Sequence, residues 1–168
     1  KVNALPTVTL TSPAANQTVL AQSTVTLTAN ASDSDGTIAR VEFYQGTTLI
    51  GSATSAPYTV AWANAPAGSY SLSAKAIDND GGSTSSAAIP LTVDVPPSIA
   101  LTSPTANAVF AAPASIPLTA SASDSDGTIT KVEFYQGTTL IGSATAAPYA
   151  ATWANVPEGS YSLTAKAT

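Results

Sequence analysis

The chain is laid out in short stretches where apolar and polar residues alternate, and no window carries the 3.6-residue spacing of an amphipathic helix. From Thr7 to Ser12, Val8 and Leu10 alternate with Thr7, Thr9 and Thr11 until Pro13 closes the run, which predicts a half-buried strand. Residues 13–23 read as a loop containing Asn16-Gln17. Thr24 to Ala31 then sets Val25, Leu27, Ala29 and Ala31 on one face and Thr24, Thr26, Thr28 and Asn30 on the other. Arg40 to Gln45 points Val41 and Phe43 inward and Arg40, Glu42 and Tyr44 outward, and Gly46-Thr47-Thr48 turns it into Leu49 to Ala53 as a hairpin. After Ala56-Pro57 the alternation resumes with Tyr58, Val60 and Trp62 on one side. A Pro- and Gly-bearing turn over residues 64–68 leads to Ser69 to Ile77, with Tyr70, Leu72, Ala74 and Ala76 inward. A last strand carries Ala87, Ile89, Leu91 and Val93. Short strands separated by turn signals at this spacing predict an all-β fold of the antiparallel β-sandwich kind.

The pattern then begins again. Asp33 to Ile77 matches Asp124 to Thr168 at 35 of 45 positions, an offset of 91 residues, while Pro6 to Ser32 matches Pro97 to Ser123 at 13 of 27. Self-similarity at a fixed period marks a tandem duplication, so two sandwiches are expected, over residues 1–95 and 96–168. Asp94-Val95-Pro96-Pro97 joins them as a short, semi-rigid connector. The second copy runs only as far as the counterpart of Ile77, so its final strand is expected to be missing and one sheet edge left open. Three readings of that edge stand: a cut through a longer polypeptide, a proteolytic end, or a strand exchanged with another copy of the chain. Pro117 occupies the place of Thr26, where a strand is expected to be irregular or edge-like.

Composition narrows the chemistry. Hydrophobic residues make up 44% and charged residues 9%, so the chain can build cores but covers them mainly with Ser, Thr, Asn and Gln. A net charge of −5 with five basic residues argues against nucleic acid and against anionic membrane surfaces. The absence of Cys, Met and His removes thiol nucleophiles, disulfides, imidazole bases and structural zinc. No apolar run approaches the roughly 18 residues of a membrane-spanning helix, so no membrane insertion is expected, and Lys1 to Leu5 does not form a signal peptide; an export signal is expected outside these residues. Abundant Ser and Thr lack a nucleophile elbow or a base partner, and the carboxylate pairs fall in turns, so no enzyme is expected.

The order of motifs resembles the bacterial immunoglobulin-like domains: an Asp-Ser-Asp-Gly turn, Val-Glu-Phe-Tyr, Leu-Ile-Gly, Ala-Pro-Tyr, Trp, then Gly-Ser-Tyr-Ser-Leu with Ala-Lys-Ala, nearly throughout both copies. Such domains occur in arrays on bacterial surface proteins and adhesins, and beside the catalytic domains of secreted polysaccharide-degrading enzymes. The resemblance implies an extracellular, non-catalytic module whose first partners are neighbouring domains of the same polypeptide.

In such a sandwich the two acidic turns lie at one end, so Asp33, Asp35, Asp78 and Asp80 are expected at one pole of the first copy, with Asn3 arriving from the N-terminal segment. The counterpart set is Asp94, Asp124 and Asp126 at the junction. Oxygen clusters of this kind suit Ca2+, which takes six to eight oxygen ligands. The plainer reading is that Asp-Ser-Asp-Gly and Asp-Asn-Asp-Gly are turn sequences whose side chains cap their own backbone. Among the aromatics, Trp62, Trp153, Tyr58, Phe43 and Tyr70 fall on inward positions, with Tyr70 and Tyr161 placed as corner tyrosines. Tyr44 and Tyr135 point outward beside Glu42 and Glu133 and offer the alternative function, stacking on a cell-surface, plant or algal polysaccharide.

Overall fold

A computed structural model describes residues 2–168. The chain divides into two compact units, Lys1–Asp94 and Val95–Thr168. The first holds strands β1 (Thr7–Ser12), β2 (Gln17–Leu20), β3 (Val25–Ser32), β4 (Ile38–Gln45), β5 (Thr48–Ala53), β6 (Tyr58–Trp62), β7 (Gly68–Asp78), β8 (Ser83–Ser85) and β9 (Ile89–Asp94). The second holds β10 (Ser98–Ser103), β11 (Ala114–Ser123), β12 (Val132–Gln136), β13 (Thr139–Ala144), β14 (Tyr149–Val156) and β15 (Leu163–Ala167). Each unit is an immunoglobulin-like β-sandwich, and among the described residues there is no helix long and apolar enough to cross a membrane.

In the first unit one sheet has the order β1-β3-β6 and the other β2-β9-β7-β4-β5, with β8 added to β7. Period-2 alternation places one row of each strand between the sheets. The fully enclosed members are Leu27, Val41, Phe43, Leu72, Ala74 and Ala76, joined by Leu91 and Val93 from β9. Trp62, Tyr58 and Tyr70 are partly buried and pack around this cluster rather than at its centre. Gln45 pairs with Thr48, so the β4–β5 turn is the two residues Gly46-Thr47, and Gly46 takes the positive φ of 56° that the tight reversal requires.

Two elements were not expected from the pattern. Residues 17–20, expected within a loop, form β2, which pairs in parallel with β9 from Gln17 opposite Leu91 to Leu20 opposite Asp94. Ser83–Ser85 forms β8 against Lys75 to Ile77. Both are too short to show a period, and a neighbouring edge supplies their hydrogen bonds. The last strand starts at Ile89, two residues later than Ala87.

The second unit repeats the sheets as β10-β11-β14 and β13-β12-β15 around Leu118, Val132 and Phe134. Pro117 does not make β11 an edge strand, because β11 is the middle strand of its sheet and Pro117 stays in register opposite Thr152. The Pro117 carbonyl accepts a hydrogen bond from Ser103 Oγ at 3.0 Å, so the missing N–H faces the side of β10, whose pairing has already ended at Thr119. The sequence irregularity appears instead as a register shift between Ala114 and Ile116.

Candidate functional site at the acidic pole

At the pole of the first unit, the β3–β4 and β7–β8 turns and the N-terminal segment come together. Asp78, at the end of β7, is only 2% exposed. Its Oδ1 accepts from the backbone N–H of Asp80 and of Gly82, each at 2.8 Å, and its Oδ2 accepts from Asn3 Nδ2 at 2.9 Å. Burial works against the charge, yet hydrogen bonds from Asn3, Gly82 and Asp80 outweigh it and hold the Asp78 carboxyl below the usual aspartate range. Asp35 accepts from the backbone N–H of Ala4 at 3.2 Å, which fastens the N-terminal segment to the β3–β4 turn. Asn79, not singled out from the sequence, ties the two turns: its Oδ1 accepts from Thr37 N–H at 2.7 Å, and its own N–H donates to the Thr37 carbonyl at 3.0 Å. Its place between two aspartates was the only available signal.

The packing leaves no space for side chains at two glycines. A Cβ on Gly36 would run into Asn79 Oδ1 and stand 2.6 Å from Asp33 Oδ2, and one on Gly82 would stand 2.5 Å from Asp78 Oδ2 and 2.7 Å from Asn3 Nδ2. Two buried oxygens at this pole, Asn3 Oδ1 and Asp33 Oδ2, have no hydrogen-bond partner among the described residues. No three carboxylates converge into a metal-holding group among the described residues. A hard cation such as Ca2+ would therefore have to draw on the open oxygens of Asn3 and Asp33 rather than on a carboxylate cluster.

The second unit repeats half of this arrangement. Asp124 Oδ1 accepts from Asp126 N–H at 3.2 Å and Gly127 N–H at 3.0 Å, and Asp126 Oδ2 accepts from Val95 N–H at 3.1 Å, the counterpart of the Ala4 to Asp35 bond. These are the self-capping contacts expected of plain turns. Asp94 is the last residue of β9 in the first unit, and its carbonyl accepts from Ala21 N–H at 2.8 Å.

Tyr44 and Tyr135 are half-buried on β4 and β12 rather than freely projecting. The Tyr44 hydroxyl donates to Glu42 Oε2 at 2.7 Å, and Arg40 Nε donates to Glu42 Oε1 at 2.8 Å. Tyr44 and then Arg40 lower the pKa of Glu42, while that same hydrogen bond raises the pKa of Tyr44. In the second unit Tyr135 donates to Glu133 Oε2 at 3.1 Å, and Lys131 takes the place of Arg40, 2.5 Å from Glu133 Oε1. The corner tyrosines stand as expected: the Tyr70 hydroxyl donates to the Pro66 carbonyl at 2.9 Å and Tyr161 to that of Pro157 at 3.2 Å, each edge-on to its tryptophan at a centroid distance of 4.9 Å.

Sheet order, corner tyrosines and repeated acidic turns define a tandem pair of immunoglobulin-like domains. The chain belongs to the bacterial Ig domain family, whose pattern matches residues 6–74 and again 97–165. A solved structure of the Clostridium thermocellum CbhA fibronectin(III)-like modules is 37% identical, covering 96% of this chain and 85% of that one at a TM-score of 0.55. Another, on the promiscuous specificity of carbohydrate-binding modules from the β-sandwich superfamily, is 17% identical over 98% of this chain and 85% of that one, with a TM-score of 0.45. No curated protein matches the chain.

Proposed function

We propose that this chain is a non-catalytic spacer of an extracellular bacterial surface or secreted multidomain protein, holding its neighbouring domains apart. The observation that carries this reading is that one folding unit occurs twice, each time around a core of its own. Each copy adds length, and Pro96-Pro97 restricts the connector. Small-angle scattering tests it: replacing both prolines with Gly is expected to broaden the distribution of interatomic distances, and an unchanged profile would remove the connector from the mechanism.

Ca2+ at the pole of the first unit is part of this proposal, supported by the two unpartnered oxygens of Asn3 and Asp33. An ion bound only by the folded form, at a hundred times its Kd, adds about 2.7 kcal/mol of stability. Melting in Ca2+ and in chelator should therefore differ for the native chain and agree for Asp33→Asn. Identical curves for the native chain would dismiss the ion, and with it the set Asp94, Asp124 and Asp126. The glycan reading rests on the repeated, partly exposed rings of Tyr44 and Tyr135 with their hydroxyls held by carboxylates. Retention on insoluble polysaccharide that disappears in the double alanine variant would replace the spacer reading with that one.

A further inference from the structure

We propose, resting on the glycan reading of Tyr44 and Tyr135, that the outward sheet face around each of these tyrosines takes a polysaccharide bearing spaced carboxylates, such as a partly esterified polyuronate. Of the five basic residues, Lys1 lies outside the described residues, and the other four are Arg40, Lys75, Lys131 and Lys166. All four stand on or beside this face. Val41, Phe43, Ala74 and Ala76 point into the core with no exposure, so Glu42, Tyr44 and Lys75 point the other way. Glu42 is opposite Lys75 in the ladder and accepts from Arg40 Nε at 2.8 Å, which sets one carboxylate between two cations. Tyr44 follows on the same face opposite Leu49, which is 52% exposed. In the second unit Glu133 is opposite Lys166 and ion-paired to Lys131, and Tyr135 is opposite Leu140, which is 51% exposed.

The two copies have drifted apart elsewhere and not here. Pro6 to Ser32 matches Pro97 to Ser123 at 13 of 27 positions, whereas Glu42, Tyr44, Leu49 and Lys75 recur unchanged as Glu133, Tyr135, Leu140 and Lys166. The one exchange in the set, Arg40 for Lys131, keeps the charge. On the other sheet Thr59-Val60-Ala61 has become Ala150-Ala151-Thr152, a change that includes Val60, which packs against the core. Packing therefore tolerated more drift than this exposed surface did, although exposed positions are the ones that folding constrains least.

The chemistry of the patch selects the ligand. Each tyrosine hydroxyl is held by its glutamate, which fixes the ring beside an exposed leucine and offers an apolar platform to the C–H face of a sugar. Two cations around one carboxylate leave a positive excess that a ligand carboxylate satisfies, and an ion pair as exposed as Arg40 with Glu42 yields its cation readily. The chain as a whole carries −5, so a densely charged polyanion is repelled while a sparsely charged one reaches the patch through screening salt. The face is an open sheet rather than a cleft, which suits an extended polymer better than a small acid. Two copies of a weak site on one chain favour a repeating ligand for the same reason.

The test is affinity electrophoresis of the full chain at low salt in gels containing low-ester pectin, the same pectin fully methyl-esterified, hydroxyethylcellulose or dextran sulfate, with chelator present so that calcium bridges no carboxylates. Retardation by low-ester pectin, several-fold weaker in the esterified gel, supports the proposal. Lys75→Gln combined with Lys166→Gln should lose that retardation with an unchanged melting curve, and Tyr44→Ala combined with Tyr135→Ala should lose it too. Equal retardation by both pectins, or retardation by hydroxyethylcellulose alone, overturns the carboxylate preference and leaves the glycan reading standing. Migration unaffected by any of the polymers overturns both. Stronger retardation by dextran sulfate than by low-ester pectin, insensitive to the tyrosine variant, overturns the proposal in favour of plain ion exchange.

Discussion

Residues 68–72 and 159–163 are the same five amino acids, yet the first run is the opening stretch of a strand and the second is largely irregular. Propensity and local pattern are identical, so the difference lies in the neighbour: β9 pairs with the first run, and among the described residues no strand stands in that place beside the second. Burial follows, with Leu72, Ala74 and Ala76 fully enclosed while Leu163, Ala165 and Ala167 are only partly so. A strand here is a property of the pair, as expected where cross-strand contacts set β stability.

The strongest way to break this comparison is to remove β9 from the unit that has it. Leu91→Asp places an unpaired carboxylate at a site 1% exposed and should cost more than about 4 kcal/mol, so that exchange at residues 68–72 approaches that of 159–162. Persistent protection of 68–72 in that variant would show the ladder to be independent of β9. Phe134→Ala, at a site 1% exposed, should cost about 3–5 kcal/mol and unfold the second unit alone, leaving the amide spectrum of residues 2–94 unchanged.

Smaller effects sharpen the contrast between the poles. The lowered pKa of Asp78 means its contribution is complete above the ordinary aspartate value near 4 and is lost as pH falls through the lower folded value. Acid titration should therefore weaken the first unit over that interval, Asp78→Asn should flatten the response, and an equal acid response in the variant would refute the assignment. Tyr70→Phe should cost about 0.5–1.5 kcal/mol through loss of the bond to the Pro66 carbonyl, and Tyr161→Phe less, because Tyr161 is 37% exposed. Urea unfolding of the two variants measures the difference.

Long alternating stretches were legible: Thr7–Ser12 and Tyr58–Trp62 fall where the pattern put them, residue for residue. The four residues of β2 and three of β8 were not, because runs that short carry no period and exist by leaning on a neighbour's edge. The acidic turns were legible as turns, but the burial of Asp78 was not. Asp-Asn-Asp-Gly reads as exposed, and one of the donors that make burial tolerable, Asn3, is 75 residues away in sequence. Tyr44 and Tyr135, expected to point outward, are half-buried, and their hydrogen bonds to carboxylates two residues earlier depend on both side chains sharing a sheet face.

The near-identity of the two hairpins has a consequence for how the chain reaches its fold. Val41 to Ala53 and Val132 to Ala144 are the same thirteen residues, so either hairpin satisfies the partner strands of the other copy. What tells the copies apart is the more divergent stretch before each acidic turn, and synthesis from the N-terminus lets the first copy close before its double emerges. Refolding from denaturant removes that head start, and crossed pairings between copies become the natural error of this molecule.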